Sequence, residues 1–333
     1  MKQLRKWISA VLVLALALSL CACIRPEPTE PAAPTQKPTK PATEPTVPGP
    51  VDYEYAKTNQ RVIYDHVIIL GVDGAGSFFT QVDCPNLTNI FSDGAITHTA
   101  TTATPSSSAP CWGSMLLGVS PDVHGITNDS GLPRDGEDFP SIFVAVGRAF
   151  PDAKLASYVH WPNINTAIIE ARADLPIKKV SSLPDQYIAS KGAQYILENQ
   201  PKLMYLHFDD PDAAGHSDGY GSKYHLDTLA QTDRYIGQVF QAIIDAGIVD
   251  STLFIVVTDH GGTPEGKHGG DTAAEMQILF AANGASILAG GQIALNIQDV
   301  PAIVAYALGI DQLDTWNCTL PQNLFADNPN GDF

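Results

Sequence analysis

The stretch TLFIVVTDHGG, residues 252–262, joins an unbroken apolar run to a polar, glycine-rich end. Such a run is typical of a strand that is covered on both faces, as in a parallel sheet packed between helices. Asp259 and His260 stand where the run stops, and the glycines after them let the backbone turn. The stretch therefore predicts a buried strand with two possible metal ligands at its carboxyl end.

Four other apolar runs have the same character. They cover residues 66–74, 154–161, 202–210 and 276–284. Helical patterns lie between them, the clearest over residues 224–246 with Gly247 just after it, and a late one over residues 298–308. Because strands and helices alternate along the chain, we predict an α/β fold with a mainly parallel sheet sandwiched by helices.

Acidic residues follow these strands at the points where the apolar runs end. Asp73 ends the first run, and Asp209, Asp210 and Asp212 end the third. In open parallel sheets, ligands bind beyond the carboxyl ends of the strands. We therefore expect these side chains to meet Asp259 at one edge of the sheet.

Two motifs add histidines to this edge. In HFDDPDAAGHSDG, residues 207–219, Asp212 and His216 are four residues apart, which on a helical turn places both on one face. In the second motif, His268 and another glycine pair follow Asp259 and His260. The alternative interpretations are a solvated loop for the first motif, a glycine-rich surface loop for the second, and a turn aspartate for Asp73.

Three serines begin a helical pattern in ATPSSSAPCWGSMLLG, residues 103–118. Serines at a helix start either cap the helix or place a hydroxyl where backbone N–H groups favour a phosphate. The residues alone leave both interpretations open.

Five ordered pieces of the chain resemble the alkaline phosphatase superfamily, in its branch of type I phosphodiesterases and nucleotide pyrophosphatases. The resemblance extends over about residues 64–310. The pieces are VDG at 72–74, SSAPCWGSMLLGVSPDVHGI at 107–126, DDPDAAGH at 209–216, TDHGG at 258–262 and KHGG at 267–270.

The resemblance implies an alkaline phosphatase-like fold with a two-metal site at the carboxyl edge of the sheet. What we call the first ligand group would consist of Asp73, Ser108, Asp259 and His260. The second ligand group would consist of Asp212, His216 and His268. The family nucleophile lies two residues before the proline of its motif, which makes it Ser108 here, with Ser107 as the fallback and a capping role for Ser106 and Ser107.

The implied chemistry is hydrolysis of a phosphodiester or pyrophosphate bond in a small phosphoester substrate. Ser108 would attack phosphorus and water would then hydrolyse the phosphoserine. The resemblance implies two zinc ions as cofactors, and a set of three histidines and three aspartates suits zinc better than magnesium. The alternatives are a phosphomonoesterase of the same superfamily and a non-catalytic surface-binding lipoprotein.

Two positions depart from the patterns of related enzymes. The pyrophosphatase branch usually has an asparagine where this chain has Cys111, so a contact to phosphate is expected to be lost. Sulfatases have an arginine where this chain has Trp112, which argues against sulfate esters. Asn128, Trp161 and Tyr220 are possible pocket residues, although core or rim packing is the more common role for each.

The net charge of the chain limits the binding partners that we expect, and the cysteine content limits its disulfide bonds. Its formal net charge of −17 opposes binding to nucleic-acid polymers, so we expect no such partner. We also expect no obligate protein partner. Past residue 23, only Cys84, Cys111 and Cys318 remain, and we predict that no disulfide is required.

The first 58 residues have the composition of a leader and a tether. Residues 1–22 combine basic residues with an apolar run and predict a lipoprotein signal peptide that ends before Cys23, the predicted lipidation site; an ordinary signal peptide is the alternative. Residues 23–58, rich in proline and threonine, predict a disordered tether. Residues 59–333 would then form a catalytic domain held by a membrane lipid anchor on the extracytoplasmic face.

Overall fold

Seven strands alternate with helices along the chain, and the computed structural model describes residues 49–128, 139–172 and 174–332. The strands are β1 His66–Val72, β2 Ala95–Thr101, β3 Leu155–Val159, β4 Ile177–Ser181, β5 Leu203–Phe208, β6 Thr252–Thr258 and β7 Gln277–Asn283. The α-helices are α1 Pro85–Ile90, α2 Ser108–Leu117, α3 Pro121–His124, α4 Ile142–Ala149, α5 Asp185–Asn199, α6 Asp210–Asp218, α7 Lys223–Asp245, α8 Ala273–Met276 and α9 Val300–Leu308. Short 3₁₀ turns cover Phe78–Gln81, Val249–Ser251 and Ile297–Asp299, and a π-helical turn covers Ile164–Ile168.

All seven strands form one sheet in the order β2-β7-β6-β1-β5-β3-β4. The pairs among β6, β1, β5, β3 and β4 are parallel, whereas β7 is antiparallel to both β6 and β2. The central strand β1 lies between β5 and β6. The prediction of an α/β fold with a mainly parallel sheet is confirmed.

Apolar layers cover both faces of the sheet. Val67 and Ile69 of β1 pack into one layer with α2, α4 and α9. Ile68 and Leu70 point to the opposite face and pack with α1, α5 and α7. Because successive residues of a strand alternate between faces, a strand buried on both faces must be apolar at every position. This is why the central strands read as unbroken apolar runs.

The sequence analysis missed β2 and β4, the two outermost strands. Both are only partly buried, and β4 contains the sequence IKKVS. An edge strand has less apolar surface to cover, and charged residues on it discourage pairing with other chains. The five predicted strands and the two predicted helices are all present, with ends shifted by a few residues.

The packed chain begins before residue 59, where we predicted the domain to start. Val51 and Tyr55 are buried in the apolar layer that contains α7. The Val51 N–H also donates to Asn86 Oδ1 at 3.0 Å. This segment therefore packs against the domain instead of belonging to the tether. The predicted signal peptide, Cys23 and residues 23–48 of the predicted tether lie outside the described residues.

The described part of the chain contains no helix with the length and apolar character needed to cross a bilayer. Cys84, Cys111 and Cys318 are buried free thiols.

Candidate active site

Three acidic residues meet because the central strands end in register. Val72 of β1 pairs with Phe208 of β5 on one side and with Thr258 of β6 on the other. Asp73, Asp209 and Asp259 directly follow these three residues. Residues that are far apart in the sequence therefore share one edge of the sheet, as the apolar runs predicted.

The absence of a side chain at Gly74 allows Asp212 to approach the backbone at this edge of the sheet. The Gly74 φ of +65° lies in the left-handed region, and a Cβ there would approach Asp212 Oδ1 to 2.6 Å. The Gly74 N–H also donates to Asp259 Oδ1 at 3.0 Å. A larger residue at this position would separate the two ligand groups.

The first ligand group is assembled around the hydroxyl of Ser108. Ser108 Oγ lies 3.2 Å from Asp73 Oδ1 and 3.2 Å from His260 Nε2. His260 Nε2 lies 3.4 Å from Asp73 Oδ1 and 3.4 Å from Asp259 Oδ2. One atom from each of the four predicted residues thus converges on a common point.

The protonation of this group fits a bound cation. His260 Nδ1 donates to the Gly261 carbonyl at 2.9 Å, which leaves Nε2 with a lone pair directed at the carboxylates. Asp259 Oδ2 is buried and has no hydrogen-bond partner within the described residues. A buried, unpaired carboxylate oxygen is costly unless a positive charge neutralises it. Asp73, Asp259 and His260 are close enough together to hold one ion.

The second ligand group lies beside the first. His216 Nε2 is 3.3 Å from Asp212 Oδ2 and 3.1 Å from His268 Nε2. The rings of His260 and His268 stack with centroids 4.1 Å apart, so the two groups are in contact. Asp212, His260 and His268 also satisfy the spacing of a cation site.

Backbone carbonyls orient both histidines of the second group. His216 Nδ1 donates to the Gly266 carbonyl at 2.9 Å, and His268 Nδ1 donates to the Ser106 carbonyl at 3.1 Å. In the neutral form of both imidazoles, the two Nε2 atoms are acceptors that face each other at 3.1 Å, an arrangement that a cation would stabilise. Fixing the tautomer of a histidine through its second nitrogen is characteristic of metal sites.

The pKa values of the aspartates reflect the crowding of negative charge. Burial, together with the charges of Asp73 and Asp212, raises the pKa of the Asp259 carboxyl well above its ordinary value. Burial and the charge of Asp73 also raise the pKa of Asp212. Burial opposes ionisation of Asp73 too, but a hydrogen bond from His207 holds its pKa below the ordinary range. A divalent cation would relieve this repulsion.

Ser106 connects the serine motif to the segment that carries His268. Its Oγ donates to the Gly270 carbonyl at 2.7 Å and accepts the Gly269 N–H at 3.1 Å. Ser107 precedes α2, and its Oγ lies 3.3 Å from His268 Nδ1. Neither side chain takes the capping role that we predicted, because both are directed at the neighbouring loop.

Comparison with known proteins agrees with this geometry. Residues 67–143 and 147–311 match the family described as type I phosphodiesterase / nucleotide pyrophosphatase. The chain belongs to that family. The prediction of the alkaline phosphatase-like branch is therefore confirmed, as is its fold.

Individual relatives of this phosphodiesterase family member are distant. Ectonucleotide pyrophosphatase/phosphodiesterase family member 7 of Rattus norvegicus is 24% identical over 64% of this chain and 53% of its own length. Bis(5'-adenosyl)-triphosphatase of Bos taurus is 20% identical over 59% of this chain and 47% of its own. The chain thus spans about half the length of these curated relatives.

A solved structure extends the likeness to the fold. Murine ectonucleotide pyrophosphatase / phosphodiesterase 5 superimposes with a TM-score of 0.65 at 16% identity. The match covers 76% of this chain and 97% of the murine one.

Cys111 of this phosphodiesterase family member is fully buried within α2. Its buried Sγ lies 3.8 Å from the Ala103 carbonyl and 3.7 Å from the Pro105 carbonyl. Burial raises the pKa of this thiol well above its ordinary value. Cys111 is therefore a small core residue, which agrees with the loss of a phosphate contact inferred from the sequence.

The three possible pocket residues have different surroundings. Tyr220 is buried, and its hydroxyl donates to Asp212 Oδ1 at 2.6 Å. Trp161 is partly buried against the apolar layer that contains α2. Asn128 is exposed and directly precedes residues that are not described. Tyr220 thus contacts a member of the second ligand group.

Trp112 and His207 reach the site although the sequence analysis assigned them no role there. Trp112 Nε1 donates to Asp73 Oδ2 at 2.8 Å, and His207 Nε2 contacts the same oxygen at 2.9 Å. A histidine inside an apolar strand was the available signal for His207. For Trp112 the sequence offered only its position, one helical turn after Ser108.

Asp185 holds the start of α6, the helix that carries Asp212 and His216. Its carboxylate accepts the N–H groups of Asp209 and Asp210, both at 2.9 Å. His160 Nδ1 lies 2.8 Å from the same carboxylate. A carboxylate at a helix N-terminus satisfies backbone donors that have no partner within the helix. Asp185 therefore fixes the helix from which the second ligand group projects.

Proposed function

We propose that this chain hydrolyses phosphodiester or pyrophosphate bonds with Ser108 as the nucleophile and two zinc ions as cofactors. The position of Ser108 Oγ carries this proposal, because it lies 3.2 Å from both Asp73 Oδ1 and His260 Nε2. These two atoms belong to the first ligand group, whose carboxylates and imidazole could hold a cation. Family membership and the names of the relatives support the same reaction class.

The donor set favours zinc. The two ligand groups offer three imidazole nitrogens alongside carboxylate oxygens, whereas magnesium prefers oxygen ligands and retains several waters. Zinc, when bound, would stabilise the negative charge on the attacking and leaving oxygens.

Ser108 would act from the first residue of α2, where backbone N–H groups favour a phosphate. The bond from Ser108 Oγ to phosphorus forms as the bond to the leaving oxygen breaks, and the leaving alcohol or nucleotide takes up a proton. Water then attacks phosphorus in the phosphoserine or its ester, the bond from phosphorus to Ser108 Oγ breaks, and Oγ takes up a proton to restore the hydroxyl. His216 and His268 keep their Nδ1 protons on backbone carbonyls throughout.

A small phosphoester is the expected substrate. The net charge of −17 disfavours long polyanions. The names of the relatives support nucleotide pyrophosphate bonds as one substrate class.

Turnover of two chromogenic esters by the full chain tests this function. We expect the zinc-loaded protein to hydrolyse bis-p-nitrophenyl phosphate faster than p-nitrophenyl phosphate. Dialysis against EDTA should abolish both activities, and added zinc should restore them, because the cations would stabilise the negative charge on the attacking and leaving oxygens.

Other outcomes would change the assignment. A preference for the monoester would favour the phosphomonoesterase alternative. Loss of all turnover in a protein that still binds two zinc ions would point to a non-catalytic binding protein.

We also propose that the mature chain is attached to the extracytoplasmic face of a membrane through a lipid on Cys23. The basic residues, the apolar run and Ala22 before Cys23 support this. Radiolabelled palmitate should be incorporated by bacteria that express the full chain, and Cys23→Ser should prevent incorporation. Equal labelling of both proteins would rule out Cys23.

A further inference from the structure

We propose that Trp112 and His207 form a positioning pair that fixes which oxygen of Asp73 faces the nucleophile and the first cation. Both side chains bind Asp73 Oδ2, at 2.8 Å from Trp112 Nε1 and 2.9 Å from His207 Nε2. Two donors on one oxygen prevent the carboxylate from rotating. Oδ1 is therefore left to face Ser108 Oγ at 3.2 Å and His260 Nε2 at 3.4 Å.

The fold brings the two donors to Asp73 from different elements. Trp112 lies four residues after Ser108 on α2, so the nucleophile and the indole share one helix face. His207 pairs with Gly71 across the β1–β5 contact, two residues before Asp73. Each donor is thus tied to an element that already carries part of the site.

Gly71 provides the space for this pair. A Cβ at residue 71 would lie 2.7 Å from Trp112 Cη2 and 2.5 Å from the Tyr205 hydroxyl. The Trp112 and His207 rings then meet edge-to-face with centroids 5.3 Å apart. Close packing on all sides holds both donors in place.

The environment of His207 argues against a purely structural role. The side chain is fully buried, and its Nδ1 has no hydrogen-bond partner in the part of the chain that is described. A buried polar atom without a hydrogen-bond partner is destabilising, and an apolar residue of similar size would avoid this cost. Retaining a histidine here is explained by the hydrogen bond that its other nitrogen gives to Asp73.

Zinc affinity measured in chelator-buffered zinc tests this inference on the full chain. Trp112→Phe and His207→Leu each remove one donor, and each should raise one of the two zinc dissociation constants about 10- to 100-fold. His207→Gln keeps an N–H near the position of Nε2 and should restore affinity. Tyr220→Phe, which removes the donor to Asp212, should weaken the other zinc instead.

Double variants distinguish positioning from loss of packing. Trp112→Phe combined with His207→Leu should leave the second zinc at its wild-type affinity, whereas Trp112→Phe combined with Tyr220→Phe should weaken both. Unchanged zinc affinities, equal weakening by His207→Gln and His207→Leu, or loss of both zinc ions in the first double variant would overturn the inference. The inference rests on the proposed cation pair, but zinc binding is measured whether or not an ester is hydrolysed.

Discussion

Ser108→Ala is expected to lower turnover of bis-p-nitrophenyl phosphate at least about a hundredfold, the scale of losing a nucleophile. Alanine removes the only atom through which residue 108 can form a bond to phosphorus. The carboxylates and imidazoles of both ligand groups remain, so zinc binding should persist. Zinc content and initial rate, measured on the same preparation of the full chain, check both expectations.

Ser107→Ala is the matched control for this experiment. Ser107 is the preceding residue, and its Oγ lies 3.3 Å from His268 Nδ1. We expect a much smaller loss of rate from this variant. Wild-type activity in Ser108→Ala, or a larger loss in Ser107→Ala, would transfer the nucleophilic role away from Ser108.

Asp259→Asn should have opposite effects on the metal-free and zinc-loaded protein. Without metal, burial and neighbouring charges oppose ionisation of Asp259, and its Oδ2 has no hydrogen-bond partner among residues 49–128, 139–172 and 174–332. An asparagine amide at this position could donate to His260 Nε2, which lies 3.4 Å from Oδ2. We expect the free energy of unfolding of the metal-free variant to rise by about 1–3 kcal/mol.

With zinc, the same substitution removes a negatively charged ligand from the first ligand group. The variant should bind one zinc less tightly, melt below the zinc-loaded wild type and lose at least about a hundredfold in rate. The melting temperatures of the variant and the wild type, each measured with EDTA and with zinc, check whether the sign of the difference reverses. A metal-free variant that melts below the metal-free wild type would show that the carboxylate has an internal role without a cation.

The convergence of the candidate ligands was predictable because strand ends are visible in the sequence. An apolar run that stops at Asp73 or Asp259 marks both the strand and the edge where its last side chain projects. The motif spacing placed His216 one turn after Asp212, and α6 has that geometry. All seven predicted ligands meet at one edge of the sheet.

The supporting residues were not predictable in the same way, because their roles depend on contacts between distant elements. Trp112 could be compared only with an arginine of other enzymes, and nothing in its own helix indicates that Asp73 lies within reach. Tyr220 follows its partner Asp212 by eight residues, across the end of α6. The edge strand β4 was missed for a different reason. Its two consecutive lysines interrupt the alternation of apolar and polar residues by which a half-covered strand is recognised.

The hydrogen bonds of Ser106 have a consequence for protein engineering. Its hydroxyl and carbonyl bind Gly269, Gly270 and His268, so the serine segment and the loop over residues 267–270 are joined two residues before Ser108, the proposed nucleophile. A chimera that takes either segment from another family member should take both together, because replacing only one of them would break the hydrogen bonds that align the two segments.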